Sequence, residues 1–499
     1  MPNLEEGSPR CENFVGGEWL APTTRAYTAN RNPADADDIV GHFPASGEKD
    51  VLEAVRAAKE AFPSWSAMPP PARGRILWRA VEIFRSRIDE IARLLCREEG
   101  KTVSEARGEI IKGINLFEFY AGEGFRLHGK TLPSETRQTL TFTLRQPLGV
   151  VALITPWNFP FAIPAWKSAP ALITGNTVVL KPASNTPATA VLIARILDEA
   201  GIPKGVFNLV MGSGGTVGNA LVDHPEVKAV SFTGSNAVGM ALNQRCAKRG
   251  IKVTAEMGGK NPVVVMEDAD LDLVCGGVLQ GAFGSTGQRC TATSRLVVPK
   301  KISRALTEAL VAGANKLRVG PGLESGIDMG PAVDEGQLQT DLKYMEIAQG
   351  EGARLVAGGK RLRGGSWEKG YFVSPTIFTG VQPGMRIHQE EVFGPVLGIV
   401  EVNDFEEALA VANGVEFGLS ASIYTRDANR AMAFVERAEV GMVHVNNPTV
   451  GGEAQLPFGG WKTTGIGERE MAEEGAEFFT QLKTVFFDYT GQARQSKIY

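Results

Sequence analysis

Residues 150–181, VVALITPWNFPFAIPAWKSAPALITGNTVVLK, carry the pattern that decides the fold. A short apolar run, VVALI, is followed by a segment long enough for a helix and then by a second apolar run, TVVLK. The alternation continues to Glu256 through FNLVMG, AVSFTGS and KVTAEMGG, with helical stretches between them. Short apolar runs that alternate with helical segments are typical of a parallel sheet in an α/β layered fold. We therefore predict such a sheet in this part of the chain.

The segments on either side predict the remaining architecture. From residue 50 to about 120, apolar positions recur at helical spacing and are interrupted at Pro69–Pro71, which predicts a run of amphipathic helices. After Asn261, the runs PVVVM, SRLVVP, GPVLGIVEV, ASIYT and MVHVN predict a second α/β domain of similar design. Two β-rich stretches, QTLTFTLRQP (138–147) and QLKTVFFDY (481–489), belong to neither alternation and predict a small separate sheet.

One helix carries boundary signals at both of its ends. After TVVLKPA, Thr186 is a plausible N-cap, Pro187 suits the first helical position, and Gly201 suits the position just past the end. The sequence therefore predicts a helix from Pro187 to about residue 200, with its first turn close to Lys181 and Ser184.

Composition excludes several classes of function. The chain has 499 residues and a formal net charge of −4, with no lysine- or arginine-rich block, which disfavours a nucleic-acid binder and predicts two large domains. No apolar run reaches the roughly 20 residues of a membrane span, and the amino terminus has no signal-peptide pattern, so we expect no membrane association and a cytoplasmic location. The five cysteines and five histidines are scattered, which predicts neither a disulfide framework nor a bound metal.

Three segments carry candidate chemistry. Cys290 lies in GAFGSTGQRCTATSR, among small residues between a predicted helix and a strand, where a loop can present a thiol to substrate. Cys275, in contrast, lies inside the apolar run DLVCGGVL, as a packing cysteine does. Glu256 ends a strand before paired glycines, and Asn158 follows a strand on a proline-flanked turn. Taken singly, each has a purely structural alternative: a packed cysteine, a helix cap and a braced turn.

Together these segments resemble the aldehyde dehydrogenase superfamily, and the resemblance extends from about residue 14 to about residue 485. It implies two Rossmann-like α/β domains plus a small β oligomerisation element. The implied ranges are 1–128 and 148–257 for the cofactor-binding domain, 258–470 for the catalytic domain, and 129–147 and 478–499 for the oligomerisation strands. In relatives such strands join subunits, so we expect a homo-oligomer, either a dimer or a tetramer.

The resemblance also implies a reaction, the oxidation of an aldehyde to a carboxylate. Cys290 would be the nucleophile, Asn158 would hold the oxyanion together with the Cys290 backbone N–H, and Glu256 would be the general base. A rival from another class is a non-redox thiol esterase or acyl-transfer enzyme that uses the same cysteine and carboxylate. A catalytically silent, structural member is a second rival.

The predicted cofactor is NADP, with NAD possible. Many NAD-using relatives carry a glutamate where this chain has Ser184, and a glutamate there repels a 2′-phosphate by like charge. A hydroxyl beside Lys181 removes that repulsion and keeps a cation. The resemblance assigns the following residues to the cofactor: Thr155, Trp157, Lys181, Ser184, Gly214, Gly218, Phe232, Gly234, Ser235, Gly239, Gly258, Glu391 and Phe393.

The substrate prediction rests on resemblance to dehydrogenases of semialdehydes, first those of α-ketoglutaric semialdehyde (2,5-dioxopentanoate) and then those of succinic semialdehyde. Several such enzymes have an arginine where this chain has Gly284, which leaves Arg289 or Arg126 to pair with a distal carboxylate. A broad-range enzyme for aldehydes without a carboxylate stays an alternative. The implied substrate-lining residues are Phe159, Ile163, Trp166, Arg289, Thr291 and Phe458.

Overall fold

A computed structural model describes residues 8–493. The α-helices are α1 Glu48–Ala67, α2 Pro70–Ser86, α3 Ile88–Glu99, α4 Val103–Glu123, α5 Ala162–Ile173, α6 Pro187–Glu199, α7 Asn219–Asp223, α8 Asn236–Arg249, α9 Leu271–Phe283, α10 Lys300–Ala314, α11 Glu335–Gly350, α12 Arg386–Gln389, α13 Phe405–Asn413, α14 Ala428–Arg437 and α15 Ala472–Phe478. Within these residues, no helix is long and apolar enough to cross a membrane.

The strands form two large sheets and several small ones. They are β1 Asn13–Val15, β2 Glu18–Leu20, β3 Tyr27–Asn32, β4 Asp35–Pro44, β5 Thr131–Leu132, β6 Thr139–Pro147, β7 Val150–Ile154, β8 Thr177–Lys181, β9 Phe207–Leu209, β10 Val227–Thr233, β11 Lys252–Glu256, β12 Asn261–Val265, β13 Thr293–Pro299, β14 Arg354–Ala357, β15 Thr376–Thr379, β16 Val396–Val402, β17 Phe417–Gly418, β18 Ser420–Tyr424, β19 Met442–Val445, β20 Trp461–Lys462, β21 Gly465–Ile466 and β22 Thr480–Asp488.

The first large sheet has the order β2-β1-β9-β8-β7-β10-β11-β21. Its five central strands run parallel to one another; they are β9, β8, β7, β10 and β11. Strands β1, β2 and β21 lie at the edges and each pairs antiparallel with its neighbour. The predicted parallel sheet is therefore confirmed. Glu256, at the end of β11, lies opposite Gly465 of β21, so a segment from late in the chain covers this strand end.

The second large sheet has the order β14-β15-β16-β13-β12-β18-β19, and all of its strands except β14 run parallel. It confirms the predicted second α/β alternation. A third sheet pairs β22 with β6 and β6 with β5, all antiparallel, and is separate from the other two, as the two β-rich stretches predict. Apolar side chains of this sheet, such as Leu482 and Phe486, are exposed.

The predicted run of amphipathic helices appears as α1 to α4. Helices α2 to α4 pack in one apolar core with strands of the first sheet, whereas most buried residues of α1 pack in a second core. Helix α4 begins at a capping box, in which the Thr102 side chain accepts from the Glu105 N–H and the Glu105 carboxylate accepts from the Thr102 N–H. Because α4 packs against α5, the side chains on one of its faces reach the region where α5 begins.

Helix α6 has its predicted ends, but the acceptor for its first N–H groups comes from another helix. Pro187 is the first helical residue and Gly201 follows the helix with φ +85°, as predicted. The Thr186 hydroxyl, however, makes no capping bond. The buried Glu98 carboxylate accepts from the N–H groups of Ala188 and Thr189 instead, so a carboxylate from α3 satisfies the helix start. A cap supplied from another helix leaves no local pattern in the sequence.

Candidate active site

Two cavities of about 240 and 250 Å³ meet at Cys290. The first contains several of the residues predicted to bind cofactor and is called here the cofactor-side cavity. It is lined by residues that include Trp157, Glu256 and Glu391. The substrate-side cavity is lined by residues of α4, α5 and the Cys290 loop. A larger groove, of about 980 Å³, runs along α10 and contains none of the predicted site residues. The predicted chemistry, and not cavity size, therefore locates the site.

Cys290 is held by a backbone with an unusual course. Before it, Ser285 and Thr286 have φ of +49° and +58°, and Gly287 has φ of +67° with its Cα packed so closely that an added Cβ would lie 2.3 Å from the Gly394 carbonyl oxygen. Such positive φ values are costly for residues other than glycine and persist only where the surroundings impose them. The Asn261 side chain holds the loop by donating to the Cys290 carbonyl at 2.7 Å.

The electrostatic surroundings of the Cys290 thiol keep it protonated. Burial raises its pKa to about 12, and the negative charges of Glu391 and Glu256 act in the same direction. Lys112 and a hydrogen bond from the Thr291 N–H lower the pKa but do not offset burial. The thiol therefore needs a base to become a nucleophile.

Asn158 lies beside this thiol on the turn after β7. Its Nδ2 donates to the Gln288 carbonyl at 3.0 Å, which leaves the second N–H of that nitrogen available. Its carbonyl accepts from the buried Lys101 ammonium at 2.7 Å, and the same ammonium donates to Glu109 at 2.6 Å. Glu109 in turn accepts from the N–H groups at the start of α5, including Phe161 at 2.8 Å. The turn is thus fixed from behind by a buried ion pair.

Glu256 is buried at the end of β11. Burial and the neighbouring Glu470 charge raise its pKa well above the usual carboxyl value, whereas the charges of Lys167 and Arg469 and a hydrogen bond from the Gly460 N–H lower it. One of its oxygens, Oε2, is buried with no hydrogen-bond partner within residues 8–493. A carboxyl group with a raised pKa and an unused oxygen is suited to proton transfer.

A buried ion pair of Glu470 and Lys167 lies close to Glu256. Glu470 pairs with Lys167, accepts from the Ser231 hydroxyl at 3.0 Å, and accepts from the Trp166 indole N–H at 2.7 Å. This arrangement ties the Trp166 ring, a wall of both cavities, to the group that raises the Glu256 pKa.

The glycines beside Glu256 allow a close backbone approach. The Gly259 N–H donates to Glu391 Oε1 at 2.8 Å, and a Cβ added at Gly258 would lie 2.3 Å from Glu391 Oε2. The Gly258 N–H is fixed by the Asn236 side chain at 2.9 Å. Burial raises the pKa of Glu391 to about 7.

Aromatic side chains form much of the walls. Trp157 and Phe393 meet edge to face, with ring centroids 5.3 Å apart, on the cofactor side. Trp166 and Phe458 lie with ring centroids 5.3 Å apart where the two cavities join. These rings lower the polarity of the walls around the thiol, which strengthens electrostatic interactions there.

Comparison with known proteins identifies the family. A model described as "Aldehyde dehydrogenase family" matches residues 19–485. The chain belongs to the aldehyde dehydrogenase family. Among its relatives, the alpha-ketoglutaric semialdehyde dehydrogenase of Bacillus subtilis is 46% identical over 95% of this chain and 97% of its own. The alpha-ketoglutarate semialdehyde dehydrogenase of Haloferax volcanii is 46% identical over 96% of this chain and 99% of its own.

Solved structures of aldehyde dehydrogenases confirm the fold. A betaine aldehyde dehydrogenase from Staphylococcus aureus, in complex with NAD+, superposes with a TM-score of 0.94 at 32% identity, covering 97% of this chain and 95% of that one. An NADP-dependent enzyme from E. coli superposes with a TM-score of 0.93 at 38% identity, covering 96% of this chain and 98% of that one.

Several of the residues expected to bind cofactor in this aldehyde dehydrogenase line either the cofactor-side cavity or a third cavity. Trp157, Gly234, Ser235, Gly258, Glu391 and Phe393 line the cavity at Cys290, and Ser184 lines a third cavity of about 300 Å³. The other expected cofactor residues are not in these linings: Thr155, Lys181, Gly214, Gly218, Phe232 and Gly239. Phe232, for example, packs beneath the loop, where a Cβ added at Gly234 would lie 2.5 Å from its ring. Their roles stay predictions.

The predicted substrate residues come together more completely. Phe159, Ile163, Trp166, Arg289, Thr291 and Phe458 all line the substrate-side cavity. Arg126, considered as a carboxylate partner, does not: it lies at the surface and pairs with Glu123. Arg126 follows the end of α4, whereas the residues of α4 that line the cavity lie in the first half of the helix.

Sequence reasoning missed the contribution of α4 to the substrate side. Glu105, Glu109 and Lys112 also line this cavity. Their spacing places them on one helical face, and a charged stripe of this kind is most often solvated. Only the packing of α4 against α5 shows that the stripe faces a cavity. Gln337 of α11 on the cofactor side was missed for a similar reason.

Proposed function

We propose that this aldehyde dehydrogenase oxidises α-ketoglutaric semialdehyde (2,5-dioxopentanoate) to the corresponding carboxylate, with NADP as the preferred cofactor. The observation that carries the reaction type is that Cys290, Asn158 and Glu256 line one cavity. The substrate is supported by the names of the relatives at 46% identity.

The first step is attack of Cys290 on the carbonyl carbon. Because its pKa is raised to about 12, the thiol transfers its proton to a base as the carbon–sulfur bond forms. Glu256 and Glu391 both line this cavity, and we assign the base to Glu256, whose Oε2 is buried with no hydrogen-bond partner within residues 8–493. The free N–H of Asn158 Nδ2 and the Cys290 backbone N–H, which makes no hydrogen bond to residues 8–493, stabilise the oxyanion of the thiohemiacetal. Such donors typically contribute about 3–4 kcal/mol.

A nicotinamide bound on the cofactor side would supply the acceptor for the hydride of the thiohemiacetal carbon. The carbonyl re-forms on Cys290 as a thioester. Glu256 releases the thiol proton to solvent and then takes a proton from water, whose oxygen attacks the thioester carbon. The carbon–sulfur bond breaks, and Glu256 returns its proton to the leaving thiolate. The products are the carboxylate and the regenerated thiol.

The cofactor side suits a dinucleotide. Gly234 and Ser235 precede the 14-residue helix α8, where N–H groups and the helix dipole favour phosphate oxygens. The Ser235 side chain makes no capping hydrogen bond, which leaves its hydroxyl for a ligand. Gly258 has no Cβ to block approach to Glu391, the residue we assign to the nicotinamide ribose.

The preference for NADP rests on the third cavity. Its lining contains no carboxylate, and Ser184 Oγ there donates to the Gly212 carbonyl at 3.1 Å. Lys181 lies beneath, with Nζ donating to the Pro182 carbonyl, and burial lowers its pKa to about 8. A 2′-phosphate would meet no like charge there, and NAD would still be accepted.

Two alternatives remain for the activity. Succinic semialdehyde or a broad range of aldehydes could replace the proposed substrate, and a non-redox thiol esterase could use the same cysteine. A panel of 2,5-dioxopentanoate, succinic semialdehyde, pentanal and benzaldehyde with NADP and with NAD separates them. We expect the highest kcat/KM with 2,5-dioxopentanoate and NADP. No reduced cofactor with any aldehyde would favour the esterase, and an equal kcat/KM for all would favour the broad-range enzyme.

We also propose that the protein is a cytoplasmic homo-oligomer, either a dimer or a tetramer, joined through the third sheet. Strand β22 is an edge of that sheet and carries exposed Leu482, Phe486 and Phe487. Edges of this kind need a partner. Deleting residues 481–499 should lower the mass measured by light scattering or cause aggregation, and a full-length chain that stays monomeric at micromolar concentration would contradict the proposal.

A further inference from the structure

The substrate-side cavity contains an ammonium without a counter-ion. Lys112 Nζ lies 5.1 Å from the centroid of the Trp166 ring and 5.8 Å from that of Phe458, the two aromatic walls nearest the thiol. It makes no hydrogen bond or ion pair with any residue from 8 to 493. Long side chains usually carry their charge to water. Here the charge lies over the aromatic rings of a cavity instead.

The other charges of this cavity are already paired. Glu109 binds Lys101, and Glu105 accepts from the Ser285 N–H and lies 3.7 Å from Arg289. Arg289 also donates to the Ser285 hydroxyl at 2.8 Å. Lys112 is therefore the cation of this cavity that has no partner among the described residues.

Lys112 also lies beside the loop of Gly451 and Gly452, which lines the same cavity. A Cβ added at Gly452, in the loop that lines the cavity there, would lie 3.4 Å from Lys112 Nζ. Glycine at this position leaves room beside the ammonium. Burial lowers the Lys112 pKa, which a bound anion would reverse.

We infer that Lys112 is the anchor for the distal carboxylate of the aldehyde substrate, binding it as a charge-assisted hydrogen bond while the aldehyde carbon lies at Cys290. This inference rests on the proposed function, because it assumes an aldehyde with a carboxylate at its far end. It assigns to α4 the task that sequence comparison gave to Arg289 or Arg126. Arg289 instead shapes the cavity, since its guanidinium is held by Ser285 and Glu105.

The test compares two aldehydes of equal chain length. 5-Oxopentanoate carries a carboxylate where pentanal carries a methyl group, so the ratio of their kcat/KM values isolates recognition of the charge. In Lys112→Met, we expect kcat/KM for 5-oxopentanoate to fall about 10- to 100-fold, mostly through KM, because a hydrogen bond to a charged group is lost. The value for pentanal should also fall, because Lys112 lowers the pKa of the Cys290 thiol, but by less than the value for 5-oxopentanoate, so the ratio of the two values should fall. Lys112→Arg should recover much of the preference.

The matched control is Arg107→Met, on the exposed face of the same helix, where Arg107 pairs with Asp89. It removes the same charge from α4 outside the site, and both aldehydes should be unaffected. Equal losses for the two aldehydes in Lys112→Met would overturn the inference and assign Lys112 to thiol activation or to folding. A wild type that does not prefer 5-oxopentanoate would also overturn it, yet oxidation of pentanal would leave the aldehyde dehydrogenase reaction standing.

Discussion

The two cavities that meet at Cys290 differ in their ionisable groups that have no ion pair within residues 8–493. These groups are carboxyl groups on the cofactor side and an ammonium on the substrate side. On the cofactor side, Glu256 and Glu391 both have raised pKa values and both raise the pKa of the thiol. On the substrate side, Glu109 is paired with Lys101, and Lys112 has no ion-pair partner within residues 8–493 and lowers the pKa of the same thiol. One side is therefore equipped to accept a proton, and the other to hold an anion.

The two cavities are also built from different structural elements. The cofactor side is built from loops that follow the strands of the first sheet and of the second, where α/β folds commonly bind ligands. The substrate side depends on α4, a helix far from Cys290 in sequence. Proton transfer thus relies on motifs at strand ends, whereas recognition of the substrate relies on helix packing. The following variants break or sharpen the contrast, from the largest expected effect to the smallest.

Replacing Cys290, which lines both cavities, should abolish activity. Cys290→Ala should lower kcat for aldehyde oxidation and for ester hydrolysis about a thousandfold or more, because both need the thiolate. Binding of NADP, measured by calorimetry, should persist. Cys275→Ala is the matched control, since that partly buried cysteine of α9 lies outside both linings. Retained turnover in Cys290→Ala would remove the nucleophile assignment.

Glu256→Gln tests the proton acceptor of the cofactor side. Hydrolysis of the thioester needs this base, so steady-state turnover should fall about 100- to 1,000-fold. A pre-steady-state burst of NADPH should remain, which stopped-flow absorbance measures. Glu267→Gln, a partly exposed carboxylate just after β12, should leave both phases unchanged. A burst whose amplitude fell together with turnover would mean that Glu256 acts only as the base for the thiol, before hydride transfer, and not in thioester hydrolysis.

Ser184→Glu adds a negative charge at the far end of the cofactor side. The ratio of kcat/KM for NADP to that for NAD should fall about 10- to 100-fold, because a carboxylate beside the 2′-phosphate repels it. Ser184→Gln has nearly the same shape without the charge and should keep more of the preference. If the wild type prefers NAD, the proposed cofactor preference is wrong.

The smallest expected effect is a shift in pH dependence. Because burial and the Glu470 charge raise the Glu256 pKa, its base form increases as pH rises, and so should kcat. Glu470→Gln removes the like charge and keeps an acceptor for the Trp166 indole, so the rising limb should move to lower pH by about half to one unit. An unchanged profile would show that another group controls this limb.

Much of the fold was predictable because its signals are local. The apolar runs of β7, β8, β10 and β11 predicted a parallel sheet, and Pro187 predicted where α6 begins. Thr186 occupies the predicted N-cap position of that helix, but the acceptor for its first N–H groups is Glu98 of α3, which the local sequence does not indicate. Most of the candidate site was predictable through motifs around Cys290, Glu256 and Asn158, which in the structure share one cavity.

The sequence by itself determined the α/β alternation, the third sheet and the identity of the residues that meet at the thiol, because periodicity and short motifs need no knowledge of distant segments. Only the tertiary structure decided which charges are paired. Glu109 is neutralised by Lys101 and Lys112 is not, although the three occupy neighbouring stretches of chain. Burial and pairing depend on what packs against each side chain, and for α4 this is α5, whose sequence lies some 40 residues further on.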